Sequence, residues 1–195
     1  MSELKVIQLD SPDLTWGTHQ IAGAELPAAM SMLGVDTERG TRVVVVKFPD
    51  GWRRDACGNQ PAGEEMVVLS GELSISGLTI GVGQMLIAEP FATRADTTVA
   101  DGTSALVWFS GAGGGWVDGP AANPGAATVH AVDATLNRPA VDGLVGRVEG
   151  RDGVAGETFA GDVDLYWPGE RTYAHVPAGT AVPRIDGFAI VHHWD

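Results

Sequence analysis

Five histidines, one cysteine and an adjacent pair of arginines are side chains whose types could do chemistry in this 195-residue chain. His19, His130, His175, His192 and His193 form none of the spacings that bring two imidazoles to one metal ion. His192 and His193 are neighbours in a strand-like segment, so one faces each side of a sheet. Surface or edge-strand positions are the plainer reading for all five; a site built from His175 and one of the terminal pair is the sharper one. Arg53 and Arg54, directly after Trp52, can clamp a carboxylate or phosphate through their planar forks of donors, or pair with the neighbouring Asp50 and Asp55. Cys57 has no second cysteine to bridge, which leaves it as a small hydrophobe or a metal donor. The glycine-rich run at 111–115 lacks the Lys-Ser/Thr ending and following helix of a phosphate loop. A serine elbow and a paired-cysteine metal motif are both absent from the sequence.

The setting for these groups is acidic. Twenty-five Asp and Glu against twelve Lys and Arg give a formal net charge of −13, which repels a phosphate backbone and argues against nucleic acid as a partner. No apolar run approaches the roughly 20 residues that cross a bilayer, and the N-terminus lacks the basic start and apolar stretch of a secretory signal. A cytoplasmic protein without membrane contact is therefore expected.

With 27 glycines and 11 prolines between short β-branched runs, the chain reads as all-β. Strands are expected over 41–48, 65–69, 73–76, 78–82, 84–89 and 104–109, each closed by a turn residue or proline. Helix is expected only near 26–33, with a short turn around 131–136. Residues 112–128, rich in Gly, Ala and Pro, read as a connector. Beyond them, strand-like segments at 144–149, 158–166, 172–176 and 188–194 form a piece too short for a second barrel of the same kind. The expected organisation is a barrel with an N-terminal extension over 1–111, the connector over 112–128, and a partial second β segment over 129–195.

The run Glu64-Glu65-Met66-Val67-Val68-Leu69-Ser70-Gly71, preceded by Phe48-Pro49-Asp50-Gly51-Trp52 and followed by a hairpin over 77–83, resembles the first signature of the cupin superfamily. The likeness covers residues 35–111 and is nearest to bacterial cupins akin to the cupin-type domain of anti-sigma factors. It implies a jelly-roll-like β-barrel, with the 129–195 segment as a partial second cupin-like piece packed on it, and a homodimer. In that family two histidines, a glutamate and a later histidine surround a divalent metal. Here the glutamate slot is Glu64, but the histidine slots hold Gly58, Gln60 and Ala95, with Arg94 beside the last. A glycine cannot coordinate, an amide is a poor donor to transition metals, and an arginine opposes a cation. The expectation is a degenerate site with no metal and no cofactor.

Strand alternation then suggests the lining. If Glu64 points inward, Met66 and Val68 follow it, while Glu65 and Val67 point out. Gln60, Glu64 and Arg94 become the polar, candidate catalytic groups in an otherwise apolar pocket. Met66, Met85, Leu86 and Trp108 are expected in that lining, with Trp52 and Arg53 at the mouth. Three functions compete. The first is a metal-independent enzyme that moves a proton through Glu64 in an isomerisation, cyclisation or elimination of a small, partly apolar molecule. The second is a noncatalytic ligand-binding or regulatory protein. The third is a metal-dependent oxygenase or isomerase with ligands rearranged onto Cys57, Glu64 and a C-terminal histidine. A Glu64–Arg94 ion pair inside a filled barrel is the reading without function.

Overall fold

A computed structural model describes residues 3–111 and 113–194. The described residues contain strands and turns and no helix, and the chain divides into two compact units. One spans residues 15–130; the other joins residues 1–14 to 131–195.

The 15–130 unit is built on a seven-stranded sheet. Its spatial order is Ala127–Ala131, Gln84–Ala88, Gly63–Ser70, Ser104–Ser110, Thr41–Lys47, Ala28–Asp36 and Gly17–His19. A four-stranded sheet of Arg53–Arg54, Thr97–Val99, Glu72–Ile75 and Leu78–Gly81 completes the barrel, and a two-stranded ribbon joins Gly58–Asn59 to Val117–Asp118. Val44, Val46, Phe48, Trp52, Met66, Val68, Leu86, Ala105 and Val107 form the core between them. The closing glycine of the signature has a steric reason. Gly71 adopts φ +72°, and any Cβ there would run into Thr103, whose hydroxyl accepts the Glu72 N–H at 3.1 Å and fastens this turn to the chain.

The helix expected near 26–33 is a strand. Ala, Met and Leu are helix formers, yet this segment pairs on both edges, with Met30 opposite Val46 on one side and Gly17 on the other. Two ladders of hydrogen bonds and a buried face outweigh an intrinsic preference of tenths of a kcal/mol per residue. The expected connector also has structure: Val117–Asp118 pairs with Gly58–Asn59, and Ala127–Ala131 forms the edge of the large sheet.

The second unit is a six-stranded sheet ordered Lys5–Gln8, Thr172–Val176, Val163–Trp167, Phe188–His193, Arg147–Asp152 and Asn137–Arg138. Its core gathers Val154, Val163, Leu165, Trp167, Ala174, Val176, Val182, Ala189 and Val191. The N-terminal residues, expected as an extension of the barrel, belong here instead: Lys5, Val6, Ile7 and Gln8 pair with His175, Ala174, Tyr173 and Thr172.

Candidate functional site

One face of the large sheet carries a row of chemistry across three strands. Arg42 stands opposite Phe109, and Phe109 stands opposite Glu64. Because alternate residues share a face, Arg42, Val44, Val46 and Phe48 look the same way along one strand, as do Glu64 and Met66 along another. All of them line a cavity of about 530 Å³ within the 15–130 unit. From the smaller sheet, Arg54 enters it beside its cross-strand partner Thr97. Gln60, Trp52 and the exposed His19 complete the polar and aromatic lining, and Trp116 contributes from the segment beyond residue 111.

Glu64 is held by Arg94, whose guanidinium Nη2 donates to Oε2 at 3.2 Å, with side chains 13% and 2% exposed respectively. Arg94 is fixed in turn. Its backbone N–H donates to the Gly58 carbonyl at 2.8 Å, its carbonyl accepts from the Gly58 N–H at 3.0 Å, and Nη1 donates to the Ala92 carbonyl at 3.0 Å. Arg42 lies over the Phe109 ring at 4.1 Å and donates to the Gly111 carbonyl at 2.9 Å. Arg54 lies 4.8 Å from the centre of the Trp116 ring and donates to the Thr97 hydroxyl at 3.1 Å. Burial lowers the Arg54 pKa to about 10 against the attraction of Glu64, with the like charge of Arg94 adding to the fall. Burial also lowers that of Arg42, again opposed by Glu64.

Glu64, Gln60, Met66 and Trp52 thus reach the cavity wall, and Arg94 sits behind Glu64. Four expected positions differ. Met85 stands opposite Val67 and Trp108 opposite Glu65, so both occupy the other face of the sheet, away from Glu64. Leu86, opposite Met66, joins the core instead of the cavity wall. Arg53 is exposed and pairs with Asp55 at 3.3 Å; the alternation of a strand gives the inward place to Arg54. The same parity places Arg94, and not Ala95, against Glu64.

The histidines lie elsewhere or at the rim. His175 Nδ1 contacts Asp164 at 2.8 Å and His193 Nε2 contacts Glu149 at 2.9 Å, both in the second unit. Cys57 is exposed. Among the described residues no group of three or more His, Cys, Asp and Glu side chains is placed to hold a metal ion. The metal that the sequence resemblance implies does not fit the residues in the corresponding slots. Glu64, the one carboxylate ligand, is committed to Arg94; Gln60 offers an amide; Trp116 fills the space a side chain at Gly58 would need; and two further guanidiniums line the cavity. A cation there would meet positive charge instead of a ligand cage.

Comparison with solved structures shows the fold. A dioxygenase candidate from Nostoc punctiforme superposes with a TM-score of 0.72 at 10% identity, over 97% of this chain and 82% of that one. The Ylba protein of E. coli superposes with a TM-score of 0.57 at 12% identity, over 97% and 90% of the two chains. A protein of unknown function from Pseudomonas syringae gives 0.50 at 14% identity, over 96% and 97%. No family model matches the sequence, and no curated protein matches it. The fold is that of the cupins. Within that fold this chain presents an arginine-lined, largely apolar cavity in place of the usual ligand set.

Proposed function

We propose that this chain is a small-molecule-binding cupin that acts on a partly apolar substrate by proton transfer, without the family's metal. The observation that carries this reading is the placement of the Glu64 carboxylate in a cavity wall with Arg94 at 3.2 Å and Arg42 and Arg54 lining the same space. Glu64 takes a proton from a carbon next to a carbonyl. The C–H electron pair forms a C=C bond as the carbonyl π pair moves onto oxygen to give an enolate, and the protonated Glu64 returns the proton to a second position. That is the balance of an isomerisation, and with loss of a leaving group, of an elimination. The arginines supply fixed positive charge where the oxyanion develops, and the apolar walls keep water from diluting it.

Proton abstraction leaves a trace that does not depend on knowing the product. In D2O, a panel of small ketones and 2-oxo acids is screened by NMR for protein-dependent exchange of the hydrogens next to the carbonyl. Exchange with at least one compound, slowed about 100-fold or more by Glu64→Gln, is the expected outcome. Exchange that survives in Glu64→Gln, or none across the panel, overturns the reading. A noncatalytic binding role is favoured by one observation, the Arg94 contact that already satisfies Glu64. It is selected if a ligand binds this cavity and no exchange occurs.

A further inference from the structure

Positive charge in the cavity exceeds negative. Arg94 takes up the charge of Glu64 at 3.2 Å, while Arg42 and Arg54 line the same space with no carboxylate within ion-pair distance among the described residues. Three arginines against one glutamate leave a local excess of two positive charges, in a chain whose net charge is −13. Arg54 is the more telling of the pair. It is only 6% exposed, and among the described residues its buried Nε has no hydrogen-bond partner and its one hydrogen bond is to the uncharged Thr97 hydroxyl. A desolvated guanidinium with an unused donor is costly to hold in a folded chain unless something negative reaches it. The Trp116 ring beside it steadies the guanidinium plane and leaves the in-plane N–H donors for an acceptor. Burial lowers the Arg54 pKa to about 10, and the attraction of Glu64 offsets only part of that fall.

The rest of the cavity sets the shape of the anion's body. Val44, Val46, Phe48, Met66, Ile75 and Val107 offer no hydrogen bonds, so a multiply charged group buried against them would go unsatisfied. A single carboxylate on an apolar frame matches both ends. We propose that the ligand of this cavity is a small monocarboxylic acid, its carboxylate on Arg54 and Arg42 and its apolar body against the barrel core. This rests on the cavity being the ligand site of the protein, as argued above.

The test is calorimetric binding of hexanoate and phenylacetate, each against its primary amide, with inorganic phosphate as a further probe. The acids are expected to bind about tenfold or more tightly than the amides, and Arg54→Met is expected to erase that preference. Arg54→Lys, which keeps the charge and loses the fork, should fall between the two. If Arg54→Met does not fold, Arg42→Met at the half-buried partner supplies the same comparison. Equal binding of acid and amide, no binding of either acid, tighter binding of phosphate, or a folded Arg54→Met that keeps the preference each overturns the inference. Acid binding retained in Glu64→Gln, with no hydrogen exchange in the wild type, supports the carboxylate ligand while ending the proton-transfer reading alone.

Discussion

The indole of Trp116 rests on Gly58: a Cβ built at Gly58 would collide with two carbons of the ring and lie 2.7 Å from the Val117 carbonyl oxygen. This contact joins a signature position of the barrel to a segment with few packing residues of its own. It leaves no room for any side chain at position 58. The aromatic ring that contacts Arg54 needs that space, so the cavity's arginine lining and the absent side chain are parts of one arrangement.

Gly58→Ala should therefore destabilise the protein by about 1–3 kcal/mol, the range for overpacking a filled site. It should also shift Trp116 away from Arg54. Denaturant melts give the first effect, and a changed tryptophan emission spectrum relative to a Trp116→Phe background gives the second. A Gly58→Ala protein as stable as the wild type, with unchanged emission, would show that the indole is not held there.

Much of the barrel is written locally in the sequence, because its strands are short, β-branched and closed by turn residues. The strand Thr41–Lys47 and the hairpin from Glu72–Ile75 to Leu78–Gly81 lie within one or two residues of their expected limits. The same alternation that identifies a strand also fixes its faces. Carried through from Trp52, it places Arg54 inward and Arg53 outward; carried back from Phe48, it places Arg42 in the cavity. The expectations drawn from sequence omit Arg42 and name Arg53 in place of Arg54, although alternation carries the signal for both; Met85 and Trp108 lose their expected place because the register against Val67 and Glu65 is a pairing between strands. Trp116 and the strand Lys5–Gln8 had no local signal. Their partners lie about 60 and 170 residues away, and hydrophobic pattern does not encode which distant edge a short segment joins.

Tyr166 supplies a prediction at alkaline pH. Burial raises its pKa to about 12 from an ordinary value of 10.0, with Asp10 adding to the rise and Arg171 opposing it. The folded state therefore keeps the phenol proton after the unfolded chain has released it. Stability from this group is full below pH 10, declines between about pH 10 and 12, and is lost above. The residue is 3% exposed, so the loss should be about 2 kcal/mol. Urea melts from pH 8 to 11.5 should show a steeper alkaline decline for the wild type than for Tyr166→Phe. Parallel declines would mean that Tyr166 ionises freely in the folded protein.

Leu9 tests the division of the chain. It is 2% exposed, its N–H donates to the Arg171 carbonyl at 2.9 Å, and the adjacent Asp10 accepts from Arg171 Nε at 2.6 Å and Nη2 at 2.9 Å. These contacts close the edge of the strand Thr172–Val176 in the second unit, far along the sequence from the barrel that follows residue 14. Leu9→Ala should cost about 2–5 kcal/mol through lost burial and the cavity left behind. Local opening follows local contacts, so the loss of amide protection should concentrate at residues 163–176 and spare 41–46. Hydrogen exchange read by mass spectrometry resolves the two regions. Faster exchange at 41–46 with 163–176 unchanged would assign the N-terminal segment to the barrel after all, whereas the reverse pattern ties the first strand of the chain to its last sheet.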